Sequence, residues 1–121
     1  MAERFGEEVL KFARALAAKR ADNITLIDVQ DKTIIADWFV IADGHATTHV
    51  KAICDDVIEE MAKQGLTPRR KEGCAEGRWI VLDYGDVLVH IFHRDERAYY
   101  NIERLWSDGD NEMTYVEQPE K

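Results

Sequence analysis

The sequence predicts an α/β fold, a single domain in which helices flank a mixed sheet of about five strands. Two stretches, 5–16 and 50–61, repeat apolar residues at the spacing of amphipathic helices. Short apolar runs before and after the second stretch have the length and composition of strands. The resulting order, α-β-β-α-β-β-β-α, is best satisfied by helices layered on a sheet, because that arrangement covers the apolar faces of both.

The first half of the chain is predicted to contain two helices with two strands between them. The first helix has a buried stripe of Phe5, Val9, Phe12 and Leu16. Strands at 24–30 and 38–41 follow, and we expect them to pair antiparallel. A second helix runs over about 47–64 and stops at Gly65, a residue type favoured just after a helix end. Its buried stripe comprises Val50, Ile53, Cys54, Val57, Ile58 and Met61.

The second half is predicted to contain an edge strand, a hairpin and a helix. Residues 66–71 form a short polar strand, which Pro68 restricts to a sheet edge. Apolar runs at 79–82 and 87–92, separated by turn-forming residues at 83–86, predict a β-hairpin. The last helix is predicted from Asp95 as N-cap and from apolar residues at helical spacing: Tyr99, Ile102, Leu105 and Trp106.

The net charge of −8 argues against an interface with nucleic acid and favours a basic partner. Residues 107–121 hold five acidic side chains and one lysine. We expect them to be a mobile acidic tail with too little apolar content to order, beyond a folded domain of residues 1–106. No apolar run reaches the roughly 18 residues of a membrane span, and residues 1–8 lack a signal-peptide core, so a cytoplasmic protein is expected.

The acidic and histidine residues form no recognisable catalytic or metal-binding motif. Asp83 and Asp86 are three apart across a turn, whereas nucleotidyl transfer uses carboxylates that alternate along a strand, with a Gly-rich phosphate turn. His45 and His49 are four apart, but His45 is expected to precede the helix, and no third ligand is evident. Cys54 is interpreted as a buried apolar residue. We therefore expect neither an enzyme nor a bound metal or cofactor.

The stretch 78–108 carries a specific resemblance to a known family. The run LDYGDVLVHIF, followed by ERAYYNIERLW, resembles the ribosomal silencing factors, also called Iojap-related proteins. Upstream, residues 37–42 resemble the family's acidic-aromatic strand, Gly44 its following turn, and residues 72–73 its loop before the tryptophan strand. The resemblance covers roughly residues 24–108.

Two positions depart from the family pattern. Ala46 stands where a small polar residue is usual, and Asp43 stands where threonine is common. The capping of the following helix is therefore left open. The resemblance also implies a fold, a compact domain that resembles a reduced nucleotidyltransferase core.

The same resemblance implies a binding module. It implies that the chain attaches to the large ribosomal subunit through the interface ribosomal protein numbered fourteen. The bound chain would then sterically block joining of the small subunit and repress translation. It also allows a homodimer. The alternatives are a factor for large-subunit assembly in ribosome biogenesis, which would share the docking site, and a nucleotide-binding or nucleotidyltransferase enzyme.

We predict that the partner surface is built from the hairpin and the last helix, since aromatic residues and arginine dominate interfaces and carboxylates suit a basic partner. The candidates are Trp79, Asp83, Tyr84, Asp86, His90, Arg97, Tyr100, Glu103 and Trp106. Structural roles compete at several of them. Trp106 has the spacing of a core residue, and Arg97 has carboxylates within reach at Glu103 and Asp95. Alternation along the strand places His90 on the same face of the sheet as Leu88 and Phe92.

Overall fold

The computed structural model describes residues 5–116 of the 121-residue chain. Four helices lie within that range: α1 (Glu7–Ala18), α2 (Thr47–Ala62), α3 (Arg94–Tyr100) and α4 (Ile102–Trp106). The strands are β1 (Asp22–Asp28), β2 (Trp38–Gly44), β3 (Arg70–Glu72), β4 (Trp79–Asp83), β5 (Val87–His93) and β6 (Glu112–Thr114). None of these helices is both long and apolar enough to span a bilayer.

The strands form one mixed sheet in the order β3-β4-β5-β2-β1-β6. Neighbouring strands are antiparallel, except that β2 and β5 pair in parallel at the centre. Parallel strands need a long crossover, and the segment that contains α2 provides it. The α/β prediction is confirmed, as is the antiparallel pairing of the first two strands, although the described part of the chain has six strands instead of about five.

One side of the sheet, here called the helical face, packs against α1 and α2. Val40, Leu82 and Val89 point to this side from three strands and are completely buried. The predicted helix stripes meet them there, and Ile58 is their one half-buried member. Removing these stripes from water stabilises the helices more than their intrinsic propensity does.

The opposite side of the sheet, here called the open face, has a smaller core. Phe39, Ile41 and Phe92 are buried on it, together with Ile102 of α4. The short helices α3 and α4 cover this side incompletely, because Leu88 remains half exposed. The two faces of the sheet are therefore unequally protected from solvent.

The predicted last helix is two short helices. Asn101 lies between them with a φ of +46°, in the left-handed region that a continuing α-helix does not adopt. The first of the two begins at Arg94, and its N-cap is His93, whose Nδ1 accepts a hydrogen bond of 3.1 Å from the backbone N–H of Asp95. The prediction of Asp95 as N-cap is therefore wrong, because Asp95 is the residue that is capped.

The two ends of α2 follow from local sequence. Ala46 is the N-cap in an extended conformation and makes no side-chain hydrogen bond, so this helix begins without the usual cap. At the other end Gly65 has a φ of +83°, and the backbone N–H of Leu66 donates to the Met61 carbonyl at 3.0 Å. The predicted stop at Gly65 is confirmed.

The C-terminal segment corrects the predicted boundary at residue 106. Residues Glu112–Thr114 form β6 on the outer edge of β1. The buried side-chain amide of Asn111 donates to the carbonyls of Asp28 at 2.9 Å and Trp106 at 2.8 Å. Backbone pairing and one buried amide thus order a segment that has little apolar surface. Residues 117–121 of the predicted tail lie outside the described residues.

Asn111→Ala should lower the free energy of unfolding by about 2 kcal/mol, because the buried carbonyl of Asp28 and the partly buried carbonyl of Trp106 lose their donor. Urea denaturation measures this change, and hydrogen exchange of residues 112–114 shows whether β6 is released. Glu112→Ala is the matched control, since that side chain is exposed in the same segment. Equal effects of the two variants would show that Asn111 does not anchor the segment.

Candidate functional site

The candidate site lies on the open face, where β4 and β5 run side by side. The register pairs Trp79 with Phe92, Val81 with His90, and Asp83 with Leu88. Side chains alternate along strands, so these six residues share one side of the sheet. Three of the predicted partner residues, Trp79, Asp83 and His90, are thereby brought together.

Trp79 is the centre of an aromatic cluster on this face. Its ring stacks on Phe92 at 4.8 Å between centroids and contacts the ring of Tyr100 at 4.9 Å. Its indole N–H donates to Nδ1 of His90 at 3.1 Å. The Trp79 side chain is half buried and Tyr100 is 48% exposed, so both leave ring surface available to a partner.

His90 lies beneath this cluster and is 6% exposed. Burial lowers the pKa of His90 from 6.5 to about 4, because the imidazolium would lose its hydration. Since Nδ1 accepts the Trp79 hydrogen bond, the proton of the neutral ring is on Nε2, which has no hydrogen-bond partner among the described residues. His90 therefore acts as a neutral acceptor that orients Trp79.

A groove lined by both apolar and charged side chains adjoins the aromatic cluster. Its volume is about 430 Å³, and it is lined by Ile34, Ile35, Arg69, Arg70, Glu72, Val81, Asp83 and Leu88. Ile34 is completely exposed and Ile35 is 59% exposed, in the loop between β1 and β2. The sequence prediction omitted both isoleucines. The signal for them was two adjacent apolar residues inside an otherwise polar loop, DKTIIAD.

Arg97 belongs to a buried ion network that attaches α3 to the sheet. Its guanidinium contacts the Asp43 carboxylate at 3.1 Å and the Glu103 carboxylate at 2.6 Å, and it donates to the Thr25 hydroxyl at 3.0 Å. The Asp43 side chain is 2% exposed, and Arg94 lies 3.6 Å from it. The sequence suggested Glu103 as a partner of Arg97 but missed Asp43. Arg97 and Glu103 therefore position α3 and α4, and Arg97 in particular presents little surface.

The hairpin turn separates its three candidates. The Asp83 carboxylate accepts from the Gly85 backbone N–H at 2.8 Å and lies 3.6 Å from Arg69, while Asp86 is exposed at the end of the turn. Tyr84 lies on the helical side, with its ring 4.8 Å from that of Phe12. Burial raises the pKa of Tyr84 to about 12. Tyr84 is thus placed away from the open face.

Trp106 closes the opposite end of the aromatic cluster. Its ring meets Phe39 edge to face at 5.2 Å, and the side chain is half buried against the smaller core.

Between residues 5 and 116, no group of three His, Cys, Asp or Glu side chains is arranged to hold a metal ion. The open face thus combines aromatic and apolar side chains with a rim of mixed charge.

Comparison with known proteins identifies the family. A family model described as "Ribosomal silencing factor during starvation" matches residues 2–121. The chain belongs to the ribosomal silencing factor family. Ribosomal silencing factor RsfS of Bacillus subtilis is 40% identical over 104 residues, which cover 85% of this chain and 88% of that protein. The resemblance predicted from the hairpin and the last helix is confirmed.

Two further comparisons extend the ribosomal silencing factor assignment. The mitochondrial Iojap-related protein of Arabidopsis thaliana is 33% identical over 100 residues, covering 78% of this chain and 53% of that protein. A crystal structure from Chromobacterium violaceum matches with a TM-score of 0.79 at 31% identity, covering 83% of this chain and 84% of that one. The α/β fold is therefore shared with a solved structure.

The pKa of His90 predicts a specific loss of stability in acid. At pH values between 6.5 and about 4, His90 binds a proton in the unfolded chain but not in the folded chain. The stabilisation that comes from keeping His90 neutral is therefore complete above pH 6.5 and is lost as the pH falls towards 4. Between neutral pH and about pH 4.5, the free energy of unfolding of wild type should fall by about 2 kcal/mol more than that of His90→Gln. The glutamine keeps a hydrogen-bond acceptor but does not titrate.

Urea denaturation across this pH range measures the difference. His45→Gln, which removes an exposed histidine instead of the buried one, is the control variant. If wild type and His90→Gln lost stability equally in acid, His90 would not be the neutral acceptor described above.

Proposed function

We propose that this protein represses translation by binding the large ribosomal subunit and preventing the small subunit from joining it. The support is its membership of a family described as silencing factors during starvation, and its similarity to proteins named RsfS. We propose further that the contact is made through the ribosomal protein numbered fourteen, the partner that the sequence resemblance implies. The protein acts in this role by occupancy, without turnover of a substrate.

The observation that supports this proposal most directly is the groove on the open face, which carries exposed isoleucines within a charged rim. Exposing Ile34 and Ile35 to water is unfavourable, and contiguous apolar patches with polar rims mark surfaces that bind other macromolecules. Val81, on the groove wall, is two residues from Trp79 on the same side of β4. The groove and the aromatic cluster are therefore one continuous docking surface.

The composition of this surface suits a protein partner. Trp79 and Tyr100 offer ring area held in place by stacking, so docking orders few additional side-chain rotamers. The groove beside them offers the apolar side chains of Ile34, Val81 and Leu88 to a partner. We propose Trp79, Asp83, Tyr100, Ile34 and Leu88 as the central contacts, with Asp86 at the rim.

Charge sets the class of partner and its orientation. The net charge of −8 attracts a basic ribosomal protein and speeds the encounter. The groove rim is mixed, since Arg69 and Arg70 stand beside Glu72 and Asp83. A mixed rim favours one orientation of the bound partner, because the reverse orientation would place like charges together.

We propose that any homodimer formed through the exposed edge of β3 competes with the ribosomal protein. The outer edge of β3 is free of any neighbouring strand in the described sheet. Arg70 and Glu72 of that strand also line the groove. Two copies paired at this edge would therefore cover part of the docking surface.

Sedimentation of purified ribosomal subunits tests the mechanism. With no nucleotide added, the fraction of subunits that join should fall in proportion to the fraction of large subunits carrying a copy of the protein, with saturation near one copy each and recovery on dilution. Full joining at full occupancy would refute the blocking mechanism. Inhibition that requires a nucleoside triphosphate and grows with time would indicate an enzyme instead.

Ile34→Asp should weaken binding to the large subunit at least tenfold, because a desolvated charge replaces an apolar contact. Its thermal midpoint should match wild type, since Ile34 is completely exposed. Val116→Asp is the control, at an exposed apolar residue just beyond β6 on the opposite edge of the sheet. Equal binding by the two variants would remove the groove from the interface.

A further inference from the structure

The short helix α3 carries part of the aromatic cluster, yet none of its residues is buried. It spans seven residues, from Arg94 to Tyr100, and helices of this length do not persist in water by themselves. Its Tyr100 ring contacts the sheet at Trp79, with 4.9 Å between the ring centroids. The position of this ring therefore depends on the other contacts that attach α3 to the domain.

Two ion pairs attach α3 at its exposed surface. Arg94 contacts Asp22 at 2.8 Å, and Glu96 contacts Arg78 at 2.9 Å. The Arg94 and Arg78 side chains are 52% and 68% exposed, so water screens both pairs and competes for their hydrogen bonds. Pairs of this kind contribute little to holding a helix in place.

Arg97 attaches α3 from a buried position. Its side chain is 11% exposed, and its guanidinium lies 3.1 Å from the carboxylate of Asp43, which is 2% exposed. The same guanidinium contacts Thr25 of β1 at 3.0 Å and Glu103 of α4 at 2.6 Å. A planar fork of five N–H donors meets acceptors on three elements at once, whereas the ammonium of lysine is a point charge without that fork.

The attachment at Arg97 and the ring of Tyr100 lie on opposite sides of β5. The sheet order places β5 between β4, which carries Trp79, and the strands of Thr25 and Asp43. The helix α3 thus extends from an anchor on β1 and β2 to a ring contact on β4. Arg97 and Tyr100 are three residues apart, within one helical turn, so a shift of the anchor moves the ring.

We propose that Arg97 is a positioning residue for the docking surface. By fixing α3 on the sheet, it holds the Tyr100 ring against Trp79 in the arrangement that the partner contacts. Affinity for the large ribosomal subunit then depends on Arg97, although its side chain offers the partner little surface of its own. The proposal rests on the proposed function, because Tyr100 is one of the contacts proposed there.

A positioning role and a purely structural role have different consequences for binding. If Arg97 served only the stability of the domain, its replacement would lower the folded fraction, and its effect on binding would multiply with that of a second substitution. A positioning role instead couples Arg97 to Tyr100, because little remains to be positioned once the Tyr100 ring is absent. A double-mutant cycle on these two residues therefore separates the two roles.

Arg97→Lys is the test substitution, because it keeps a cation beside the buried Asp43 carboxylate and removes the fork. Binding to purified large subunits is measured for Arg97→Lys, Tyr100→Ala and the double variant, with no small subunit present. Each single substitution should weaken binding about tenfold, and the double variant should bind no more than about twofold more weakly than Tyr100→Ala. Arg104→Lys, at an exposed arginine of α4, is the matched control and should bind like wild type.

The free protein supplies a second readout that needs no ribosome. In NMR spectra of Arg97→Lys, the cross-peaks between the ring protons of Trp79 and Tyr100 should weaken, and amide exchange should accelerate in residues 95–100. Exchange in residues 38–44 of β2 should keep the wild-type rate, because the sheet remains folded. Thr25→Val removes one acceptor of Arg97 and keeps its ion pairs, so it should give a smaller change in the same direction.

Wild-type ring cross-peaks in Arg97→Lys would overturn the proposal, as would effects that multiply to about a hundredfold loss of binding in the double variant. If Arg97→Lys did not fold, wild-type cross-peaks and binding in Thr25→Val would overturn it. If Tyr100→Ala weakened binding and Arg97→Lys did not, Arg97 would have no positioning role, while the docking surface would stand. If Tyr100→Ala and Ile34→Asp both bound like wild type, the docking surface itself would be wrong, and the role of Arg97 with it.

Discussion

The parallel pairing of β2 and β5 is the constraint on which the rest of the structure depends. Parallel neighbours cannot be joined by a tight turn, so the chain must cross over between them, and α2 does so on the helical face. The pairing also brings the two strand ends together, with Gly44 opposite His93. The chain therefore leaves β5 beside Asp43, and α3 begins where Arg97 can reach that carboxylate.

This topology leaves the two faces of the sheet unequally covered. Two long helices protect the helical face, whereas within residues 5–116 the open face is covered by α3, α4 and the loop that contains Ile34. The exposed groove and the aromatic cluster around Trp79 follow from that imbalance, and Trp79, Val81 and Leu88 belong to the strands of the sheet. The docking surface that we propose is thus produced by the same crossover that stabilises the domain, and His90 accepts the Trp79 indole hydrogen bond beneath it.

Sequence reasoning succeeded wherever a residue's environment depends on its close neighbours in the chain. The hairpin, the stripes of α1 and α2, the stop at Gly65 and the shared side of Leu88, His90 and Phe92 follow from period and turn chemistry alone. It failed at Asp95, because the side chain of His93 caps the helix instead. Among the nine predicted partner residues it could not separate Trp79 and Asp83 on the open face from Tyr84 on the other side, since the twist of the hairpin turn decides that.

The sequence by itself determined the type and order of the elements and the residues of the main core, because local periodicity encodes both. The family resemblance came from the motif runs in the hairpin and the last helix. Only the tertiary structure decided the contacts between distant residues. Arg97 meets Asp43 across 54 positions and Asn111 meets Asp28 across 83, so neither pair leaves a local pattern. A polar segment that composition alone assigns to a tail becomes β6 because β1 offers it an unpaired edge. Burial and pairing at a distance outweigh local preference at each of these places.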